Sequence, residues 1–227
     1  MTRTTNARIA GAAYLLYIAA AFPAMSIASR ATKGATVAER LETVSRHVGA
    51  IQIEIILSLI AGLCAFALAI SLYGFTRDED PDIARLGMLC RFAEGLFAAP
   101  FISLSLLWLA GDGAGTLGDS TNALAAYVFK LSPWMVTFSA YLFALGSTAF
   151  CYLLLRGRMI PTWLAWTGVI GSVLLVFTLP LSFIGVVRKP FTDLAWIPIA
   201  VFEIVVSVWF LWTGGKLKDL SGSHDRL

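Results

Sequence analysis

Charged residues are scarce in this sequence of 227 residues, at 14% of the chain, where soluble proteins average about 25%. Hydrophobic residues make up 58%. A soluble fold of this size could not bury so much apolar surface, so we expect lipid to surround most of the chain. The net charge is only +3 and forms no clustered basic face, which argues against nucleic-acid binding.

Residues that bind metals or carry redox chemistry are also few. The three cysteines, Cys64, Cys90 and Cys151, lie in separate apolar runs without a C-x-x-C motif, and we predict that they are small core residues. The two histidines, His47 and His224, lie outside the apolar runs, which argues against haem or di-iron chemistry. An aspartate-rich diphosphate motif is also missing, so we predict no metal site and no cofactor.

Six apolar runs are long enough to cross a bilayer, which takes about 20 residues. They cover residues 9–29, 49–75, 86–110, 133–155, 161–187 and 194–213. Pro23 and Pro180 interrupt the first and fifth runs and predict kinks. The first run exceeds the usual core of a signal peptide, about 7–15 residues, so we interpret it as a retained helix. The fold class predicted is all-α, a single integral membrane bundle of six transmembrane helices over residues 1–227.

Two connections have helical character of their own. Thr36 and Glu39 fit a capping box, and residues 37–48 place apolar side chains at helical spacing. This pattern predicts a short amphipathic helix on the membrane surface between spans one and two. Residues 122–131 are expected to form an interfacial half-helix that leads to Pro133 and span four.

The distribution of Lys and Arg between alternate loops predicts the orientation. With the N-terminus inside, the cytoplasmic segments hold nine of these residues and the outer segments hold seven. We therefore predict a protein of the bacterial cytoplasmic (inner) membrane with both termini in the cytoplasm. No internal repeat is visible, so the sequence does not support the inverted-repeat plan of many transporters.

Four ionisable residues fall inside these apolar runs: Glu54 in span two, Arg91 and Glu94 in span three, and Glu203 in span six. Each costs about 2.5–3.5 kcal/mol on insertion scales, so each marks a candidate functional site. Arg91 and Glu94 are three residues apart, share one helix face and are expected to form an ion pair.

The glycines around Arg91 predict a close helix neighbour. Gly87 and Gly95 each lie four residues from Arg91 and leave room for another helix. We expect that helix to be span six, so that Arg91 is shared between Glu94 and Glu203. Such a site has one excess negative charge, and it could hold a proton or bind a cation.

Glu54 lies nearer the outer side and is interpreted either as an interfacial residue or as part of a separate polar pocket with Gln52 or Ser58. Tyr141 shares one stripe of span four with two threonines, although hydroxyls in membrane helices often bond to their own backbone. The candidate ligand-binding residues are Glu54, Arg91, Glu94, Glu203 and Tyr141, and the candidate catalytic acids are Glu94 and Glu203.

Short motifs along nearly the whole chain resemble one family. They are residues 7–11, 91–95 and 161–164, and residues 202–204 with Trp209 and Gly214. Together they are similar to the uncharacterised bacterial six-span membrane protein family known as domain of unknown function 4386. The resemblance implies the six-span fold and charges at the four intramembrane positions, but it implies no activity. Span four departs from the family, because residues 130–134 replace an Arg-Asp pair near its start.

Three functions remain open on the sequence. The first, which we favour, is a protein that binds or moves a small or lipidic ligand while a buried carboxylate exchanges a proton. The second is an enzyme acting on a lipid or isoprenoid, with Glu94 or Glu203 as general acid and Arg91 orienting it. The third is a non-catalytic partner or sensor subunit whose charges fix helix packing. The expected partners are membrane lipids, a small-molecule or lipid ligand and further copies of the chain.

Overall fold

A computed structural model describes residues 2–97, 100–111 and 120–214, and within these ranges the chain forms eight α-helices. They are α1 (Arg3–Ala31), α2 (Val37–Arg46), α3 (Val48–Thr76), α4 (Pro81–Phe97), α5 (Phe101–Ala110), α6 (Ser120–Arg156), α7 (Thr162–Phe183) and α8 (Lys189–Thr213). Six stretches are long and apolar enough to cross a bilayer, with α4 and α5 together counting as one. The prediction of an all-α, multi-pass membrane bundle is confirmed.

The six spans pack as a closed ring. Each helix packs against its neighbours in the order α1, α3, α4, α6, α7 and α8, and α8 packs back against α1. Helices α1 and α4 are not neighbours in this order, and their side chains meet in the centre of the ring, where Tyr17 of α1 reaches Glu94 of α4. We call this central line the ring axis.

The third span, predicted over residues 86–110, contains two described helices, α4 and α5. Helix α4 ends at Phe97, and α5 begins at Phe101 with Pro100 at its N-cap. Proline lacks a backbone N–H and disfavours helical geometry in the residue before it, which explains why the helix is interrupted here. Residues 98 and 99 lie outside the described part of the chain.

Several other boundaries differ from the predictions, among them those of α6 and α7. The expected half-helix over 122–131 continues through Pro133 into span four, so α6 is one helix of 37 residues. At 1.5 Å per residue it is about 55 Å long, which exceeds the thickness of the bilayer core. Helix α7 ends at Phe183 instead of residue 187, because Pro180 lies in its last turn and Gly185 follows with a left-handed φ of 74°.

A second, smaller hydrophobic core covers one end of the ring, which we call the capped face. It joins α2, α5 and the first turns of α6 through Leu41, Leu106 and Phe129. The predicted capping box of α2 is present. The amphipathic character of α2 is confirmed, and the apolar face of α2 packs against protein in this core. The Arg40 guanidinium lies over the Phe129 ring, 3.7 Å from its centroid. This cation–π contact joins α2 to α6.

The opposite end of the ring, the terminal face, brings the two ends of the described chain together. Helices α1 and α8 are antiparallel, and a Cβ placed on Gly214 would lie 2.6 Å from Thr4 Cγ2. Both ends of the described chain therefore lie at the same face, as an even number of spans requires.

Asp80 on the terminal face provides a prediction about pH. Its Oδ1 accepts hydrogen bonds from the backbone N–H groups of Ile83 and Asp82, both 3.1 Å long, and its Oδ2 lies 3.3 Å from Arg156 Nη1. The Ile83 N–H, followed by the Asp82 N–H and Arg156, holds the pKa of Asp80 below its ordinary value. The ionised Asp80 carboxylate therefore stabilises the fold above its pKa in the unfolded chain, which is about 3.9. This stabilisation is lost as the pH falls through the lower pKa of the folded state.

We therefore expect the melting temperature of Asp80→Asn to fall less steeply below about pH 4 than that of the wild type. The asparagine side-chain oxygen can still accept the two backbone hydrogen bonds, but it has no charge to titrate. Thermal melts in detergent between about pH 2 and pH 6 measure this effect. Asp78→Asn, at an exposed residue of the same loop, is the matched control and should leave the curve unchanged. Identical curves for Asp80→Asn and the wild type would contradict the prediction.

Candidate functional site

Arg91 lies on the ring axis, and only 1% of its surface is exposed. The methylene groups of its side chain pass along α6 at Gly146, where the helices approach closely. A Cβ placed on Gly146 would lie 3.0 Å from Arg91 Cγ and 3.1 Å from the Gly87 carbonyl oxygen. The guanidinium therefore reaches the axis because α6 has no side chain at this position.

Glu94 is the ion-pair partner of Arg91 and is held from three helices. Its Oε2 lies 3.0 Å from Arg91 Nη1 on α4. The Tyr17 hydroxyl of α1 donates a 2.9 Å hydrogen bond to Glu94 Oε1, and the Ser139 hydroxyl of α6 donates a 3.1 Å hydrogen bond to the Glu94 backbone carbonyl. The predicted pair is thus present, and two hydroxyl groups fix its position.

Aromatic rings from two helices surround the Arg91 guanidinium. Its Cζ lies 4.7 Å from the Phe143 ring centroid on α6, and 5.7 Å and 6.0 Å from those of Tyr17 and Tyr14 on α1. Such contacts favour a buried cation by about 2 kcal/mol when water is excluded. The rings therefore offset part of the free-energy cost of burying this charge.

Glu203 supplies the second carboxylate and is 7% exposed. It lies within electrostatic range of Arg91, Tyr14 and Cys151. Among the described residues, however, no basic nitrogen lies within 4.0 Å of its carboxylate, and Oε1 is buried without a hydrogen bond. The expected sharing of Arg91 between two carboxylates is therefore not observed: the salt bridge is with Glu94, and Glu203 remains unpaired nearby.

The cluster of Tyr14, Tyr17, Arg91, Glu94 and Glu203 has unused hydrogen-bonding capacity. None of the three guanidinium nitrogens donates a hydrogen bond of good geometry to a described protein atom, although Nη1 is in ion-pair range of Glu94. Buried polar groups in native proteins are usually hydrogen-bonded, and exceptions need an explanation. We call this group the axial cluster.

The glycines beside Arg91 face helices other than the one expected. A Cβ on Gly87 would meet Phe150 of α6 at 3.2 Å, and a Cβ on Gly95 would meet Phe66 of α3 at 2.8 Å. The prediction that span six packs here is wrong. Small residues indicate a close helix neighbour but do not specify which helix it is.

Glu54 lies apart from the axial cluster. It is 6% exposed, and the Ser58 hydroxyl donates a 2.8 Å hydrogen bond to its Oε1, while its Oε2 is buried without a hydrogen bond. Gln52, the other predicted partner, is exposed. Gly62 and Ala65 of α3 both contact Gly95, so Glu54, which lies 8 to 11 residues before them, is about 12–16 Å along α3 from the Glu94 turn.

Tyr141 is half-buried and packs against the larger hydrophobic core, which lies between the spans. The tyrosines near Arg91 are instead Tyr14 and Tyr17. The threonines of its stripe, Thr137 and Thr148, donate hydrogen bonds to their own helix backbone. Sequence reasoning missed the tyrosines of α1. Two phenol groups three residues apart in an apolar span could have indicated them, because a buried tyrosine hydroxyl needs a partner.

The residues that the structure describes contain no convergence of three His, Cys, Asp or Glu side chains. An apolar groove of about 370 Å³ lies on the outside of the bundle. It is lined by Phe97, Trp134, Met135, Phe138 and Phe183. Phe97 follows Glu94 by three residues, and Phe138 precedes Ser139, so the groove adjoins the turn that positions Glu94.

Comparison with protein families identified a match over most of the chain. A family model with the description Domain of unknown function (DUF4386) matches residues 9–214, which is most of the chain. Neither the curated proteins nor the solved structures contain a match.

Proposed function

The chain belongs to the DUF4386 family, and from that premise we propose that it is a membrane protein that binds a small or lipidic ligand at its axial cluster. The main support is the unpaired Glu203 beside an Arg91–Glu94 salt bridge at the centre of the ring. Two carboxylates and one guanidinium leave one excess negative charge when both acids are ionised. Binding of a proton or a cationic group would balance that charge.

The depth of the cluster supports this proposal. Tyr17 is the middle residue of α1, and Glu203 lies near the middle of α8. Ionisable groups at this depth in a bilayer usually mark a pathway or a ligand site. The apolar groove next to the Glu94 turn adds room for the hydrocarbon part of a lipidic ligand.

The proposal also covers the orientation, the membrane location and the partners of the protein. We propose that both termini lie in the cytoplasm and that the chain lies in the bacterial cytoplasmic membrane, since along the sequence the two tails and the second and fourth loops hold nine Lys and Arg residues and the other loops hold seven. The candidate partners are membrane lipids, and further copies of this small chain would extend the binding surface.

A thermal-stability screen of detergent-purified protein tests the function. The probes are phosphatidylglycerol, cardiolipin, phosphatidylethanolamine and the chlorides of sodium and potassium, each at about pH 6 and pH 8. A specific ligand at 100 times its Kd should raise the melting temperature of the wild type by roughly 5–10 °C. Glu203→Gln should keep the fold and lose that shift, because an amide cannot provide the negative charge.

Glu42→Gln is the matched control, since Glu42 is an exposed residue of α2 and pairs with Arg46 on its own helix. It should respond to every probe like the wild type. The proposal fails if no probe shifts the wild type and Glu203→Gln melts at a much lower temperature. In that case the charge fixes helix packing.

A further inference from the structure

We propose that the helix segments around the second core form a lid, which tilts on the rest of the bundle and admits ligand to the axial cluster from the capped face. We call these segments the cap. The cap consists of α2, α5, the last turn of α1 and the first turns of α3 and α6. The inference rests on the proposed function, since it supplies the route by which a ligand reaches the proposed site.

The axial cluster is closed in the described structure, so a ligand needs an opening movement to reach it. Arg91 and Glu94 are each 1% exposed. Toward the terminal face, the space between the spans is filled by the larger hydrophobic core, which includes Leu72, Phe75 and Phe210. Six spans pack side by side around that core. The cap covers the other end of the ring, and fewer helices hold it in place.

The cap and the rest of the bundle are packed as separate bodies. Among the described residues, the larger core and the second core have no side chain in common. In α1, Tyr17 packs against the larger core and Ala31 belongs to the second core. In α6, Ala140 and Phe129 are divided in the same way. Separately packed motifs often open as cooperative units, so the cap can move as one body while both cores stay intact.

A proline lies between the two cores in three of the spans. Pro23 is inside α1, Pro133 is inside α6, and Pro100 is the N-cap of α5 in the third span. Proline has no backbone N–H, and its ring crowds the preceding turn, so a helix bends at this residue. In α6, the carbonyl of Phe129 loses its helical hydrogen bond because residue 133 has no N–H to donate. These prolines therefore form a hinge between the cap and the bundle.

The prolines of α1 and α6 lie at one height in the bundle. Tyr17 of α1 and Ser139 of α6 both donate hydrogen bonds to Glu94, which places these two residues near the same level. Pro23 and Pro133 are each six residues from these donors, in the direction of the capped face. At 1.5 Å per residue, both prolines are about 9 Å from the Glu94 turn. Bends at one height allow the two helices to follow a single tilt of the cap.

The cap is attached along one side of the ring and free along the other. It continues into α1, α3 and α6, and α5 follows α4 in the third span. Helix α3 contains no proline and serves as the pivot. Helices α7 and α8 contribute no residue to the second core in the described part of the chain, because α7 ends at Phe183 and α8 begins at Lys189. A tilt about α3 therefore opens the edge above α7 and α8, and α8 carries Glu203.

Modification of introduced cysteines in lipid nanodiscs tests the lid. Ser139→Cys places a thiol beside Glu94, and Ser147→Cys places one on the same helix about 12 Å nearer the terminal face. Both serines are buried. The reagent is a methanethiosulfonate with a fixed ammonium charge, so it arrives through water and not through lipid. The thiol of Ser139→Cys should react at least about tenfold faster, since only the capped end of the ring opens. Peptide mass spectrometry separates both sites from the native cysteines.

Replacement of the hinge prolines should slow this modification. Pro23→Ala combined with Pro133→Ala restores a backbone N–H in α1 and in α6, so bending would then break a hydrogen bond in each helix. The rate for Ser139→Cys should fall at least about tenfold. Pro198→Ala is the matched control, because Pro198 also lies inside a helix but packs at Gly171 of α7, away from the cap. This control should leave the rate unchanged.

Each result decides the proposal. Equal rates for Ser139→Cys and Ser147→Cys overturn the lid, and this comparison does not require any proline variant to fold. An unchanged rate after both prolines are replaced also overturns it. The thermal-stability screen separates this test from the binding proposal. If a probe stabilises the wild type while Ser139→Cys stays unmodified, only the lid is wrong. If Ser139→Cys reacts as expected while no probe shifts the wild type, the lid is supported and the binding proposal is wrong.

Discussion

Arg91→Met should lower the free energy of unfolding by about 3–5 kcal/mol. The substitution leaves the carboxylate of Glu94 buried with only the Tyr17 hydroxyl as a partner, close to a second acid. Breaking one side of a buried ion pair is costly because the remaining charge stays away from water. The melting temperature in detergent should fall by roughly 10 °C or more.

The double variant Arg91→Met with Glu94→Gln is the informative comparison. Removing both charges leaves a neutral amide that can still accept from Tyr17, so stability should return to near the wild-type value. Recovery of stability together with loss of ligand response would show that the charges serve a function. A double variant that remains as unstable as Arg91→Met would show that the ion pair itself holds α4 in the ring, and would count against the binding proposal.

Gly146→Ala is expected to destabilise the protein by about 1–3 kcal/mol, the cost typical of overpacking a tight contact. A methyl group at this position would lie 3.0 Å from Arg91 Cγ and 3.1 Å from the Gly87 backbone oxygen, and the backbone cannot move aside without separating α4 from α6. Separation of α4 from α6 would also displace the Arg91 guanidinium from Glu94. Equilibrium unfolding or thermal melts in detergent measure the loss.

Gly49→Ala is the matched control, because a Cβ placed on Gly49 would have open space within 4 Å. Alanine favours a helix over glycine by up to about 1 kcal/mol, so this variant should be neutral or slightly more stable. If Gly146→Ala were equally harmless, α4 and α6 would not be packed as closely as described, and the route by which Arg91 reaches the ring axis would be wrong.

The charged core of the candidate site could be predicted from sequence, since a charge in an apolar run is conspicuous and i,i+3 spacing brings Arg91 and Glu94 together on any helix. The tyrosines of α1 could not be predicted with equal ease. Tyr17 is 77 residues from Glu94 along the chain, and helical periodicity describes which residues share a face of one helix without fixing the neighbour that the face meets.

Some helix boundaries likewise have causes in the local sequence, and others depend on tertiary packing. Proline and glycine act on their own backbone, so the interruption at Pro100 and the end of α7 near Gly185 have local causes. The continuity of α6 through Pro133 has a tertiary cause. The first turns of this helix pack against α2 and α5 in the second core, and that burial outweighs one missing backbone hydrogen bond.

By itself, the sequence determined that this chain spans a membrane six times and which four charges are buried there, because hydropathy and helix length depend only on residues close together in the chain. Only the tertiary structure decided that Tyr17 bonds to Glu94 while Glu203 stays unpaired, and that Glu54 stands about 12–16 Å away. The order of helices around the ring sets those distances. That order follows from complementary packing between helices far apart in the chain, where small residues permit close approach without selecting the partner.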